Sequence, residues 1–365
     1  MKNTLGQSVC VTLFGESHGE GIGAVLDGIA PGLDVDLDFI KSQLSKRRPK
    51  GKTDTPRVEN DNFQILSGVF NGKTTGTPIA IVIPNENTKS KDYNYGLARP
   101  SHADYTAYAK YHGYEDYRGG GHFSGRITAG LVAAGAIALS ALKKLGINIG
   151  THILRCKDVR DRGFEDVEKE VLAIQDKEFP VLSLCEEEMI NVISEARENC
   201  DSVGGIIQTA ITGVPSGVGE PWFDTVEGLL SHALFSIGGI KGVEFGAGFG
   251  FASMYGSQGN DSFEYTNGKV YTKTNNNGGI NGGITNGMPI VFNCAVKPTP
   301  SIAKEQDTVN FLKESNEKIE IKGRHDPAII RRVCVVVDSV SAICVCDMLA
   351  QRYGTDIFLK GFDRK

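Results

Sequence analysis

Histidines with polar neighbours, a run of tyrosines, three consecutive glycines and a closing arginine share one stretch, Arg99–Arg126, RPSHADYTAYAKYHGYEDYRGGGHFSGR. Bare backbone N–H groups in a glycine triplet can face an anion, most of all where a helix begins just after them. The imidazoles beside the triplet, His102 above all, can move protons near neutral pH. Anion binding combined with proton transfer is the chemistry this stretch can perform.

Further loops have the same character. Gly15-Glu16-Ser17-His18-Gly19 follows the β-type run Val9–Phe14. A polar triplet at a strand end is either a site of chemistry or a surface turn whose Ser17 and His18 bond backbone. Lys297-Pro298-Thr299-Pro300-Ser301 and Gly323-Arg324-His325-Asp326-Pro327 each offer groups for proton transfer or anion binding. Lys46–Lys52 carries five positive charges in seven residues. That run is either a solvated face or a phosphate grip, and the planar forks of Arg47 and Arg48 suit phosphate oxygens. A Ser17–His102–Asp326 triad can be imagined, but sequence alone cannot place three distant residues in contact. The signatures GxxxxGK(S/T), HExxH and GxSxG do not occur, and a GxGxxG fingerprint fails because Leu26 stands where its last glycine belongs.

These loops need elements to hold them. Ile127–Leu145 is rich in alanine, apolar nearly all round, and closed by Lys143, Lys144 and Gly146. The pattern predicts a buried central helix with the glycine triplet at its N-terminal end, where the helix dipole favours an anion. Ile40–Ser45, Thr225–Phe235 (with Asp224 as N-cap) and Ser339–Tyr353 read as helices, and Phe164–Glu178 and Glu186–Asn199 as charged outer ones. Val9–Phe14, Asn62–Phe70, Ile79–Ile83, Ile206–Thr212 and Pro289–Val296 read as strands, the second and third joined around Asn71-Gly72. Strands and helices do not alternate strictly, which argues against a doubly wound parallel sheet. Eight glycines from Gly238 to Gly259 predict a backbone-lined site or a twisted strand pair. Asn260–Asn277, polar and Asn-rich, reads as a mobile flap on a single domain spanning 1–365.

Composition narrows the class. The net charge of −5 argues against a general nucleic-acid binder. The eight cysteines have no metal-ligand spacing, so no metal is expected, and Cys344-Val-Cys346 reads as buried free thiol. The N-terminus lacks a signal-peptide layout, and only the short, Ala/Gly-rich Ile127–Leu142 approaches a membrane span. A reduced, cytoplasmic protein without membrane or nucleic-acid partners is the expectation. The residues by themselves reach a soluble enzyme for an anionic, phosphorylated small molecule.

The ordered series FGESHG, RRP, LSGVF–TGTPI, RPSHADYT, YRGGG–S–R, GVPSGVGEP, KGVEFGAGF, GGI–GGITNGMPI, KPTPSI and GRHDP resembles chorismate synthases, from about Gly6 to about Asp347. The resemblance implies an α+β sandwich with helices packed between two antiparallel β-sheets, usually assembled as a homotetramer. It implies conversion of 5-enolpyruvylshikimate 3-phosphate to chorismate by 1,4-anti elimination of phosphate. Reduced FMN is required although the reaction has no net redox change. NADPH as reductant, or an external flavin reductase as partner, would keep that flavin reduced.

By the same resemblance His18 is an acid near the departing phosphate, His102 protonates the reduced flavin, and Asp326 acts with Ser17 in proton transfer around flavin N5. Arg47 matches a position of NADP or phosphate contact, and Arg48, Arg126 and Arg324 are further groups for the substrate's anions. His122, Phe123, Ser124, Gly238, Gly239, Gly282, Lys297, Pro298, Thr299, Pro300, Ser301 and Arg324 stand at FMN positions. Where the family usually has Arg-Ser-Ser-Ala-Arg-Glu-Thr, this chain has His122-Phe123-Ser124-Gly125-Arg126-Ile127-Thr128. Gly238 replaces a usual Asn, and Asp338 a customary Glu. His122 keeps a donor and, if protonated, a charge; Phe123 can stack on an aromatic ligand. A divergent paralogue with altered or lost flavin chemistry and a non-catalytic anion-binding protein are the alternative readings.

Overall fold

The computed structural model describes residues 2–362 apart from 52–53, 55–59, 87–93 and 322–325, so Arg324 lies outside the described residues. Alternating burial of Ile79, Ile81 and Ile83 is the period-two pattern of a strand with one face on a core. The strand they form, β7 (Ile79–Pro84), pairs antiparallel with β3 (Gly21–Asp27) on one side and β4 (Gln64–Ile65) on the other. With β1 (Thr4–Leu5) and β2 (Cys10–Gly15) they make a five-stranded sheet ordered β1-β2-β3-β7-β4. The Asn71-Gly72 turn does not join the long strands. Both residues have positive φ (49° and 73°), and the two-residue turn closes only β5 (Val69–Phe70) onto β6 (Lys73–Thr74).

A second antiparallel sheet contains β8 (Asn148–Cys156), β9 (Val159–Arg160), β10 (Gly205–Thr212), β11 (Ile240–Phe245) and β16 (Ile290–Val296), ordered β11-β16-β10-β8-β9. Its register runs from Gly205 opposite Val296 to Ile211 opposite Ile290. Between the sheets lie α3 (Thr128–Lys144), packed on β3 and β7, and α8 (Ile330–Tyr353), packed on β8 and β10, with α1 (Leu37–Arg47) against both helices. The fold is therefore the expected α+β sandwich. The remaining helices are α2 (Asp104–Tyr111), α4 (Val167–Ile174), α5 (Glu186–Glu198), α6 (Val226–Leu234), α7 (Gly256–Gly259) and α9 (Ile357–Lys360).

Several expectations change. The helix expected over Ser339–Tyr353 starts earlier, at Ile330, and runs on without a breaker until Gly354 (φ 77°), so α8 is one long helix. Thr225, not Asp224, caps α6, its hydroxyl accepting from Gly228 N–H at 2.9 Å. Residues 260–277, expected as a mobile flap, have regular structure. They hold an antiparallel hairpin of β12 (Phe263–Thr266) and β13 (Lys269–Thr272), pinned at its base where the Asp261 carboxylate accepts from the Asn276 and Asn277 N–H groups. Gly278–Gly287 likewise forms a short hairpin, β14 (Ile280–Asn281) with β15 (Ile284–Thr285).

Two segments, Gly125–Lys144 and Ile330–Tyr353, are long and apolar enough to cross a membrane, the second unforeseen. Their apolar windows are 78% and 94% buried within the protein, so their hydrophobicity belongs to the core. The Cys344 and Cys346 thiols are buried and free, and burial pushes Cys344 up to about 12.

Candidate active site

The glycine triplet sits just ahead of α3. Gly119, Gly120 and Gly121 all have positive φ (63°, 81° and 52°), a path few other residues would follow. The space each missing side chain leaves is used. A Cβ on Gly119 would lie 2.1 Å from the His18 ring, and one on Gly121 would lie 1.9 Å from the Asp116 carbonyl oxygen. The Ser17 N–H donates to the Gly121 carbonyl at 3.1 Å, tying the two loops together. His122 Nδ1 lies 2.8 Å from the Gly15 carbonyl oxygen, which can only accept. Nδ1 therefore carries the proton, and Nε2 is left for another partner.

His102 is held from one side only. Its Nδ1 lies 2.7 Å from Asp104 Oδ1, on the first residue of α2. Arg99 grips both oxygens of that carboxylate, Nε to Oδ2 at 2.8 Å and Nη2 to Oδ1 at 2.7 Å. Burial would raise the Asp104 carboxyl, but hydrogen bonds from Arg99 and His102 hold it well below the usual range. Lys297 Nζ donates to the neighbouring Ser101 carbonyl at 2.7 Å, joining this loop to the 297–301 loop. Burial lowers the Lys297 ammonium, and nearby Lys241 adds to the effect.

Three arginines converge on Asp61. Arg47 Nη2 lies 3.1 Å from its Oδ2, Arg48 Nε 3.6 Å from the same oxygen, and Arg126 Nη1 donates to Oδ1. Asp61 has no exposed side-chain surface; burial would raise its carboxyl, and Arg47 and Arg126 hold it below its ordinary value instead. Burial pulls Arg47 down to about 10, partly opposed by Asp61. Arg47 is thus not on a solvated face. Among the described residues Asp61 is the carboxylate these three guanidiniums share. Arg332 extends the group, donating from Nε to the Arg47 carbonyl at 2.6 Å and from Nη1 to Asp326 at 2.5 Å.

These side chains line one cavity of ≈ 780 Å³ between α3, α8 and the 297–301 loop, a size typical of cofactor and substrate pockets. Of the expected residues, His102, His122, Phe123, Ser124, Arg47, Arg48, Arg126, Gly238, Gly239, Asp326 and the whole of Lys297–Ser301 are on its wall. Ser17 and His18 are not: they are buried beneath Gly119, so neither shares a surface with Asp326 in this cavity. Gly282 is also elsewhere, exposed in the turn between β14 and β15. None of residues 260–277 lines the cavity.

Sequence reasoning missed Lys2, Lys241, His232 and Arg332, all on the wall. Lys241 sat inside a quoted motif, and Arg332 follows Asp326 closely enough to have been weighed; Lys2 and His232 carry no local signal. Among the described residues the wall presents Lys2, Arg47, Arg48, Arg126, Lys241, Lys297 and Arg332 against the one carboxylate of Asp326. In a chain whose net charge is −5, that concentration of cations makes a trap for a multiply charged anion.

The comparisons with known proteins agree with one another. A family model described as chorismate synthase matches residues 9–350. A chorismate synthase of Lachnoclostridium phytofermentans is 46% identical over 351 residues, covering 95% of this chain and 95% of its own. One of Dehalococcoides mccartyi is 44% identical over 359 residues, covering 97% and 98%. A solved chorismate synthase structure superposes with a TM-score of 0.74 at 30% identity, covering 96% of this chain and 94% of that one.

Proposed function

The chain belongs to the chorismate synthase family, and from that premise we propose that the cationic cavity binds 5-enolpyruvylshikimate 3-phosphate beside reduced FMN. The chain is a lyase acting on a phosphate ester: the 3-phosphate and a C6 hydrogen leave the ring by 1,4-elimination, giving chorismate for aromatic biosynthesis. The observation that carries this reading is the meeting of seven cations, one carboxylate and the clamped His102 on a single wall. The cations stabilise the charge that builds as phosphate leaves, and they are already in place before it does. His102, with Nδ1 committed to Asp104, offers Nε2 for proton transfer to the bound ligands. Asp326, gripped by Arg332, is placed to receive a proton at the wall.

The wall suits a phosphorylated aromatic cofactor. The Phe123 ring is 44% exposed, and among the described residues the buried Thr299 hydroxyl has no hydrogen-bond partner and nothing lies within 4 Å of where a Gly238 Cβ would be. Lys297 and Lys241 supply positive charge next to Thr299. When bound, reduced FMN supplies electron density to the allylic system as phosphate leaves. His122, Phe123, Thr299 and Lys297 would hold it. Arg47 is buried and engaged by Asp61, which favours internal anchoring over nicotinamide contact, so an external reductase is the proposed source of reduced flavin.

Assembly with further copies, as a tetramer, is supported by the exposed aromatics Trp222, Phe223, Phe249, Tyr255, Phe263 and Tyr265, the last two on β12. The free thiols favour a reducing, cytoplasmic setting. Anaerobic turnover with reduced FMN and the enolpyruvyl substrate, followed by chorismate absorbance and released phosphate, tests the function. Equimolar products support it; bound flavin without product contradicts it. NADPH consumption with FMN but no added reductase would overturn the proposed flavin source.

A further inference from the structure

We propose that Asp104, clamped by Arg99, is a positioning residue that selects the tautomer of His102 and sets its proton affinity; the proposal rests on His102 being the proton-transferring imidazole. The ring nitrogen Nδ1 faces two groups, Asp104 Oδ1 at 2.7 Å and Arg99 Nη2 at 3.0 Å. A ring nitrogen carries either a hydrogen or a lone pair, so only one of these is a hydrogen bond at a time. The shorter bond to a full carboxylate charge wins, which puts the hydrogen on Nδ1.

Asp104 cannot turn away to release it. Arg99 binds both of its oxygens through the guanidinium, and the Arg99 backbone N–H adds a third bond at 3.0 Å. Neutral His102 therefore presents a bare Nε2 toward Gly120, whose missing Cβ would have come 3.5 Å from that nitrogen. Protonated His102 presents an Nε2–H donor at the same place. The device leaves the same nitrogen, Nε2, as the one that exchanges a proton in both states.

The two charges pull the ring in opposite senses. The carboxylate favours imidazolium, and the guanidinium disfavours it. Lys297, from the facing loop, bonds Ser101 rather than the ring, and Gly120 brings no charge. Removing Asp104 thus takes the carboxylate away and leaves the guanidinium beside the ring, whereas removing Arg99 takes the cation away and leaves the carboxylate. General structural damage would not produce shifts of opposite sign.

The test uses flavin-free protein with 15N-labelled histidine, of which the chain has seven, and His102→Gln to identify the signal. The wild type should show the Nδ1–H tautomer. Asp104→Asn should move the His102 titration to lower pH, Arg99→Met should move it to higher pH, and Asp104→Glu should restore it. With flavin and substrate, Asp104→Asn should lower kcat by about 10²-fold with little change in KM, and the pH limb should move the same way as the titration. An Nε2–H tautomer in the wild type, or titrations unmoved or moved in one sense by both variants, overturns the proposal. Arg99→Met carries the test alone if Asp104→Asn does not fold. The expected titrations with unchanged kcat would support the positioning and overturn instead the catalytic role of His102.

Discussion

His18 and His102 look alike in sequence, each an imidazole in a polar loop, yet the chain uses them differently. His102 stands on the cavity wall with one nitrogen held by Asp104; His18 packs under Gly119, where a Cβ would come within 2.1 Å of its ring. That contact makes Gly119 a position where one methyl group matters. Gly119→Ala combines the left-handed backbone with overpacking against a buried ring, and should cost about 1–3 kcal/mol. A urea titration would read the loss as a lower midpoint at unchanged slope, and flavin affinity should fall with it. A midpoint equal to wild type would mean the triplet is not packed as described. His102 and Asp326, which do reach the cavity wall, could be picked out because polar side chains in glycine-flanked loops stand out in sequence. Asp61 was not legible, since an aspartate fourteen residues from Arg47 gives no hint that it ties three arginines together.

At the level of elements, α3 and α8 cross where neither has room to spare. A Cβ on Gly135 would lie 2.3 Å from Ser339 Cβ and 2.7 Å from its Cα, so it would meet backbone that cannot move aside. Gly135→Ala gains about 1 kcal/mol of helix propensity, but overpacking of this kind costs about 1–3 kcal/mol. The net effect should be destabilising, seen as a lower denaturation midpoint; a more stable variant would contradict the close crossing. Further along α8, burial pushes the Asp338 carboxyl up to about 6 despite the Thr151 hydroxyl bonded to it at 2.6 Å. The folded chain thus keeps a proton that the unfolded chain loses near 3.8, and stability should fall as pH rises from about 4 to about 6. Asp338→Asn should flatten that part of the stability curve, measured as urea midpoints across the window. An identical slope in wild type and variant would count against it. The central helix was legible because alanine and terminal lysines mark it, whereas only the second half of α8 was read as helix, since the β-branched Val333–Val337 run before it has the look of a strand. The Asn-rich 260–277 segment hid a hairpin because exposed strands with polar faces carry no core pattern.

The whole molecule is an acidic chain folded around a basic cavity. Its two most apolar helices lie inside, and the side chains of Trp222, Phe223, Phe249, Tyr255, Phe263 and Tyr265 are exposed, which is where further copies would pack. Sedimentation of the purified protein should give about four times the 39.3 kDa chain mass; a monomer at micromolar concentration would contradict the assembly. The sandwich was legible only through the ordered series of motifs, since no single strand or helix dictates how two sheets face each other. The cavity needed the fold, because its cations come from the N-terminus, α1 and its C-cap, the turn before α3, β11, the 297–301 loop and α8, which only tertiary packing brings together. The central claim is that this wall, acting through His102, carries out the elimination. It is tested most directly by anaerobic single-turnover formation of chorismate in wild-type and His102→Gln protein, each loaded with reduced FMN and substrate. The account predicts one chorismate per site from the wild type, and a rate about 10²-fold slower in the variant with both ligands still bound. No chorismate from the wild type, or equal rates from the two proteins, would contradict it.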